Sequence, residues 1–112
     1  MSESTEKITG AAIVTGAGRG IGRAIAVELA RHGYHILVDY AGNASAAEET
    51  VARCQAEGVD AFAVQADVSD EDAVKSLVKS ALERFGRIDV LINNAGITRD
   101  NLMLRMSAED FD

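Results

Sequence analysis

The stretch Ala11-Ala12-Ile13-Val14-Thr15-Gly16-Ala17-Gly18-Arg19-Gly20-Ile21-Gly22, continued by Arg23 to Arg31, decides the fold. Ala11 to Thr15 is a short apolar run that reads as a buried strand. It enters a turn with glycine at positions 16, 18, 20 and 22. Ile21, Ala24, Ile25 and Leu29 then recur at helical spacing, which predicts a helix from Ile21 to Arg31 with those residues on its inner face. Gly33 ends it. A glycine-rich turn between a strand and a helix points main-chain N–H groups at an incoming anion, and side chains there would obstruct its approach. The spacing Gly16-x-x-x-Gly20-x-Gly22 departs from G-x-G-x-x-G, whose third glycine would stand at Ile21, and no Gly-Lys-Ser/Thr follows as in a P-loop. A merely flexible turn is the plainer alternative, and the helix that begins at once argues against it.

The same rhythm continues outward. His35 to Val38 reads as a second strand, about 45 to 56 as a helix closed by Gly58, and Ala61 to Ala66 as a third strand. Ala44, Ala47, Val51 and Cys54 share one face of that second helix. Ser69 is the expected N-cap of the third helix, with Asp70, Glu71 and Asp72 in the first turn, where the helix dipole favours acids. Ala73, Val74, Leu77, Val78, Ala81, Leu82 and Phe85 make its apolar stripe, and Gly86 stops it. Asp89 to Ile92 is the fourth strand, followed by Asn93-Asn94-Ala95-Gly96. Alternating strands and helices predict an α/β three-layer sandwich with a parallel sheet. Ser107-Ala108-Glu109-Asp110 reads as the start of a further helix, and the fourth strand needs a neighbour, so the 112 residues are expected to be the N-terminal part of one domain, incomplete on its C-terminal side. The isolated chain is accordingly expected to be poorly stable and to aggregate.

Composition sets limits on function. The apolar fraction of 47% is too high for a disordered chain. No apolar run approaches the roughly 20 residues of a membrane helix, and Met1 to Lys7 lacks the basic start and apolar stretch of a secretory signal. A cytoplasmic protein with no membrane partner is expected. A net charge of -7 disfavours nucleic acid as a partner. Cys54 is the single cysteine and reads as a small buried hydrophobe. His32 and His35 flank Gly33 and read as solvated turn residues, and no Cys/His spacing resembles a metal site.

Thr15-Gly16-x-x-x-Gly20-Ile21-Gly22 resembles the cofactor loop of the short-chain dehydrogenase/reductase family. Asn93-Asn94-Ala95-Gly96 resembles the family's second signature, and Asp67-Val68 matches the position whose acid contacts adenine in the family. The resemblance implies a Rossmann-type sheet with strand order 3-2-1-4 here. It implies a cofactor site built from Gly16, Gly18, Arg19, Gly20, Ile21, Gly22, Asp39, Tyr40, Asp67, Val68, Asn94, Ala95 and Gly96. The run from Asn93 to Leu102, with Met103 and Arg105-Met106, is similar to the branch that reduces 3-oxoacyl groups on acyl carrier protein in fatty acid synthesis. Acetoacetyl-CoA reductases share much of it. The implied substrate is thus bound to acyl carrier protein or to CoA, and the implied whole enzyme is a homotetramer. For Leu102, Met103, Leu104 and Met106 themselves, plain apolar packing is the preferred reading: they mark the branch without having to touch substrate.

The choice of nicotinamide cofactor rests on two residues. An acid after the second strand accepts hydrogen bonds from a ribose 2′-OH, whereas a nearby arginine accommodates a 2′-phosphate. Arg19 stands where NADP-dependent members carry a basic residue; Asp39 ends the second strand, but by the family's spacing the discriminating acid would fall at Tyr40. Neighbouring side chains on a strand face opposite ways. NADP is therefore expected over NAD, with Asp39 the residue that speaks against it.

No catalytic residue is expected within these 112 residues. The family's tyrosine acid, lysine, serine and relay asparagine should lie beyond Asp112. Tyr34 and Tyr40 are followed four residues later by Val38 and Ala44, not lysine. Other readings are a family member acting on a different ketone, a binding module without turnover, and a signalling receiver domain. A receiver needs paired acids after the first strand, where this chain has its glycine turn.

Overall fold

The structure, a computed structural model, describes residues 10–94 and the backbone of residues 102–105. The elements are β1 (Gly10–Val14), α1 (Gly20–Arg31), β2 (Tyr34–Tyr40), α2 (Ala44–Gln55), β3 (Ala61–Gln65), α3 (Glu71–Phe85), β4 (Val90–Asn93) and β5 (Leu102–Arg105). The sheet order is β3-β2-β1-β4-β5. The first four strands are parallel, with Val14 level with Val38 and Ile92, and Val38 level with Ala63.

Alternation along the strands sends apolar side chains to both faces of the sheet, as a parallel sheet covered on both sides requires. Ala12, Val14, Ile36, Val38 and Ile92 pack with Ala26 and Ala30 of α1 and Ala47, Val51 and Cys54 of α2. Ile13 and Leu37 pack on the other face with Leu77, Val78 and Ala81 of α3. The chain is the three-layer α/β sandwich that the alternation implies.

Several local expectations are corrected. Beside the four parallel strands, which stand in the expected order, β5 pairs antiparallel with β4, placing Asn93 opposite Leu102 and Val90 opposite Arg105. β2 is longer than expected, taking in Tyr34 at its start and Asp39 and Tyr40 at its end. His35 is therefore no solvated turn residue: its Nδ1 accepts the Asp60 main-chain N–H at 3.0 Å, and its ring stacks on Phe85. His32 is exposed beside Glu28, with Nε2 3.1 Å from the carboxylate. The α1 face is rotated from the one expected. Gly22, Ala26 and Ala30 are buried, whereas Ile21 is 64% exposed and Ala24 is also outside. Ile25 and Leu29 of the expected face are partly buried and still pack against the core. On α2, Thr50 is buried with Ala47, Val51 and Cys54, and Ala44 is exposed. The N-cap of α3 is Asp70, whose carboxylate accepts from Asp72 N; Ser69 serves the turn before it. The helix expected from Ser107 lies outside the described residues.

Candidate functional site

The strand order reverses beside β1: β2 lies on one side of it and β4 on the other, so a crevice opens beyond their C-terminal ends, where open α/β sheets bind ligands. The turn from Thr15 to Arg19 fills this position. Gly16 and Gly20 both have φ of +63°, a left-handed conformation that side chains resist. Gly22 is required for a different reason. A Cβ there would stand 2.1 Å from the Gly16 carbonyl oxygen and 2.9 Å from Asn94 Nδ2. No side chain caps α1, whose first residues follow the extended Arg19; α2 and α3 are capped by Asn43 and Asp70.

The turn is bonded to β4. Thr15 N donates to Ile92 O at 3.0 Å, Asn94 N donates to Thr15 Oγ1 at 2.8 Å, and Asn94 Nδ2 donates to Gly16 O at 3.2 Å. The Thr15 hydroxyl lies 3.3 Å from both Ile92 O and Asn93 Oδ1 as acceptors. The two glycine-bearing signatures thus meet through Thr15, Gly16, Asn93 and Asn94. Ala95 and Gly96 lie outside the described residues.

A cleft of about 380 Å³ runs beside the turn, lined by Gly16, Gly18, Arg19, Tyr40, Asn43 and Ala46 with the intervening Ala41 and Gly42. Arg19 is exposed at its rim. Tyr40 borders the cleft and Asp39 does not. Asp39 is 1% exposed, and its register on β2 puts it on the same face as Leu37, towards α3. Its Oδ1 meets no hydrogen-bond partner among the described residues. Burial pushes its carboxyl up to about 7, against the pull of the Gly16 and Ala66 main-chain N–H groups, with the Asp67 charge adding to the rise.

Asp67 is exposed after β3 and accepts from Ser69 N at 3.0 Å and Ser69 Oγ at 2.7 Å, which hold its carboxyl below the usual range. Val68 borders an apolar hollow of about 70 Å³ with Val74, Leu77 and Leu91, between α3 and the sheet. Sequence reasoning missed Arg23, Asn43 and Thr50. Arg23 reaches Thr50, Gly18 O and Ala46 O. The available signals were an asparagine at a helix start and a threonine on an otherwise apolar helical face.

These features define a Rossmann-type α/β fold, with a glycine turn at the strand-order reversal and, among the described residues, no side chain capping the helix behind it. The chain belongs to the short chain dehydrogenase family, whose model matches residues 10–112. It is 54% identical over 106 residues to a 3-oxoacyl-[acyl-carrier-protein] reductase of Staphylococcus aureus, covering 95% of this chain and 43% of that protein. It is 54% identical over 100 residues to a 3-oxoacyl-[acyl-carrier-protein] reductase of Synechocystis, covering 89% of this chain and 40% of that protein. A solved hydroxysteroid dehydrogenase from Escherichia coli superposes with a TM-score of 0.73 at 38% identity, over 81% of this chain and 39% of that one. The chain thus spans less than half the length of the curated relatives it matches. Family membership implies a nicotinamide cofactor.

Proposed function

We propose that this chain is the dinucleotide-binding part of an NADP(H)-dependent reductase that converts 3-oxoacyl groups carried on acyl carrier protein to 3-hydroxyacyl groups. The curated relatives named above support the substrate class. The observation that carries the cofactor choice is the placement of Asp39: its carboxyl is buried towards α3, while Arg19, Tyr40 and Asn43 border the cleft. A carboxylate in that cleft would repel a 2′-phosphate, and an exposed arginine attracts one.

The residues present fit such a cofactor. Gly16 and Gly20 give a turn with no Cβ at its left-handed positions, and the main-chain N–H groups at the start of α1 can receive a diphosphate. Arg19 is assigned to the 2′-phosphate, Asp67 to the adenine, and Asn94, with Ala95 and Gly96 of the same signature, to further cofactor contacts. Ile21, exposed at the first turn of α1, offers an apolar contact. When bound, NADPH supplies the hydride. The chain's part is to bind and orient; no group in it is assigned to protonate the product. Tyr34 is 8% exposed at the start of β2, at the strand end opposite the crevice. The proton donor and the rest of the catalytic group are placed outside these 112 residues, in a complete protein that is cytoplasmic and homotetrameric.

Protein made from the complete gene should reduce a 3-oxoacyl thioester of acyl carrier protein with NADPH, followed by the loss of absorbance at the nicotinamide wavelength. Faster turnover of a CoA thioester or of a free ketone would replace the substrate assignment. A preference for NADH would remove the cofactor assignment.

A further inference from the structure

Two walls enclose the cleft beside the phosphate turn. Gly16, Gly18 and Arg19 form one; Tyr40 to Asn43 with Ala46, where β2 passes into α2, form the other. The walls are separate pieces of chain, and beneath them lies Arg23, whose side chain is 18% exposed. Arg23 Nη2 donates to Gly18 O at 2.7 Å on the first wall and to Ala46 O at 3.0 Å on the second. Its Nε donates to Thr50 Oγ1 at 2.9 Å. The Thr50 hydroxyl in turn lies 3.1 Å from Gly18 O and 3.3 Å from Ala46 O, the same two carbonyls. Thr50 is fully buried on the α2 face that packs against the sheet, so its hydroxyl cannot turn to water. Glu49, 3.6 Å from Arg23 Nη2, adds charge to the same guanidinium.

We propose that Arg23 and Thr50 form a clamp that sets the gap between these walls, and that this pair, which need not touch the cofactor, is a positioning element for recognition of the 2′-phosphate. The inference rests on the cofactor assignment above and deepens it. A guanidinium presents several N–H groups in a rigid plane, and that geometry lets one residue hold two carbonyls and a hydroxyl at once. An ammonium on a flexible stem is a point charge and does not fix both walls. The clamp acts on the wall that carries Arg19, so its loss should be felt most by the dinucleotide that bears a phosphate at that end.

The test is calorimetric titration of the protein from the complete gene with NADP and with NAD, alongside thermal melting. Arg23→Ala should weaken NADP about tenfold or more, the range expected for losing hydrogen bonds made by a charged group, and NAD by about threefold or less. Arg23→Lys should not restore NADP affinity. Thr50→Val, nearly isosteric, should shift the NADP to NAD ratio in the same direction by a smaller factor, and it carries the test if Arg23→Ala does not fold. Equal weakening of both dinucleotides, unchanged NADP binding, or full rescue by lysine would overturn the clamp; lysine rescue would mean that charge alone matters. Failure of the unaltered protein to bind either dinucleotide would instead bring down the cofactor assignment, and the clamp with it.

Discussion

Asn94 Nδ2 donates to the carbonyl oxygen of Gly16 at 3.2 Å, joining the end of β4 to the first glycine of the phosphate turn across 78 positions of sequence. The Asn94 main-chain N–H reaches Thr15 Oγ1 as well, so one residue holds the turn at two successive positions. Carbonyl and hydroxyl are both partly buried, where an unpaired polar atom is costly. Asn94→Ala should therefore loosen the turn as well as remove the cofactor contact proposed for Asn94. The expected loss is about 1 kcal/mol of folding stability, together with dinucleotide binding weakened roughly fivefold to tenfold. Urea unfolding and calorimetry on the same samples measure the two; full affinity in Asn94→Ala would remove the buttress.

Gly22 and Gly18 should respond very differently to one added methyl. At Gly22 the Cβ meets backbone at 2.1 Å, which no rotamer change relieves; at Gly18 its nearest neighbour is Ala47 N at 3.7 Å, an ordinary contact. Gly22→Ala should destabilise the fold by about 1–3 kcal/mol or more and abolish dinucleotide binding. Gly18→Ala should stay within about 0.5 kcal/mol of the unaltered protein. Equal stability for the two variants in denaturant titrations would contradict the packing described for α1.

Arg19 is exposed and borders the cleft, so its removal should alter affinity without altering stability. Arg19→Ala is expected to weaken NADP about tenfold and leave NAD within about twofold, with Tm unchanged, because the lost contact is one charge-assisted pair. A parallel loss of both cofactors would place Arg19 at the diphosphate instead.

Asp39 gives a pH dependence with a definite sign. Its carboxyl is raised from 3.8 to about 7 on folding, so the native state holds the proton more tightly than the unfolded chain does. The stability from this group is fully present below the unfolded value and is lost as pH rises through the folded one. Asp39→Asn, which cannot ionise, should thus gain on the unaltered protein as pH rises from about 4 to about 7 and hold that gain above it, by up to about 4 kcal/mol. The readout is the difference between the two unfolding free energies at each pH, which cancels the other titrating groups. A flat difference would show that Asp39 is not buried in its acid form.

Cys54 is fully buried among Ala47, Val51 and Ala26, and burial pushes its thiol up to about 11. A thiol reagent at pH 8 should react with it only at the rate of unfolding, and fully once denaturant is added. Immediate labelling of the native protein would show the α2 face to be open.

How much was legible in the sequence follows the reach of each signal. Strand and helix alternation, the phosphate turn and the apolar stripe of α3 are local patterns, and each appears where its periodicity placed it. The face of α1 was read only in part, since Ile25 and Leu29 pack against the core while Gly22, Ala26 and Ala30 are too small to register as an apolar stripe. Ser69 and Asp70 are both good N-caps by composition; only the turn that Asp67 makes with Ser69 settles the choice. Arg23 and Thr50 carry no local signal of their role, since nothing in linear order brings Gly18 O and Ala46 O to them.

By itself the sequence determined the layer architecture, the family and the place of the phosphate turn, because hydrophobic period and glycine spacing act over a few residues. Tertiary structure alone decided that Asn94 and Arg23 brace the turn at Gly16 and Gly18, and that β5 runs antiparallel to β4. Each depends on which groups two distant segments bring within about 3 Å of each other, the range at which a hydrogen bond forms.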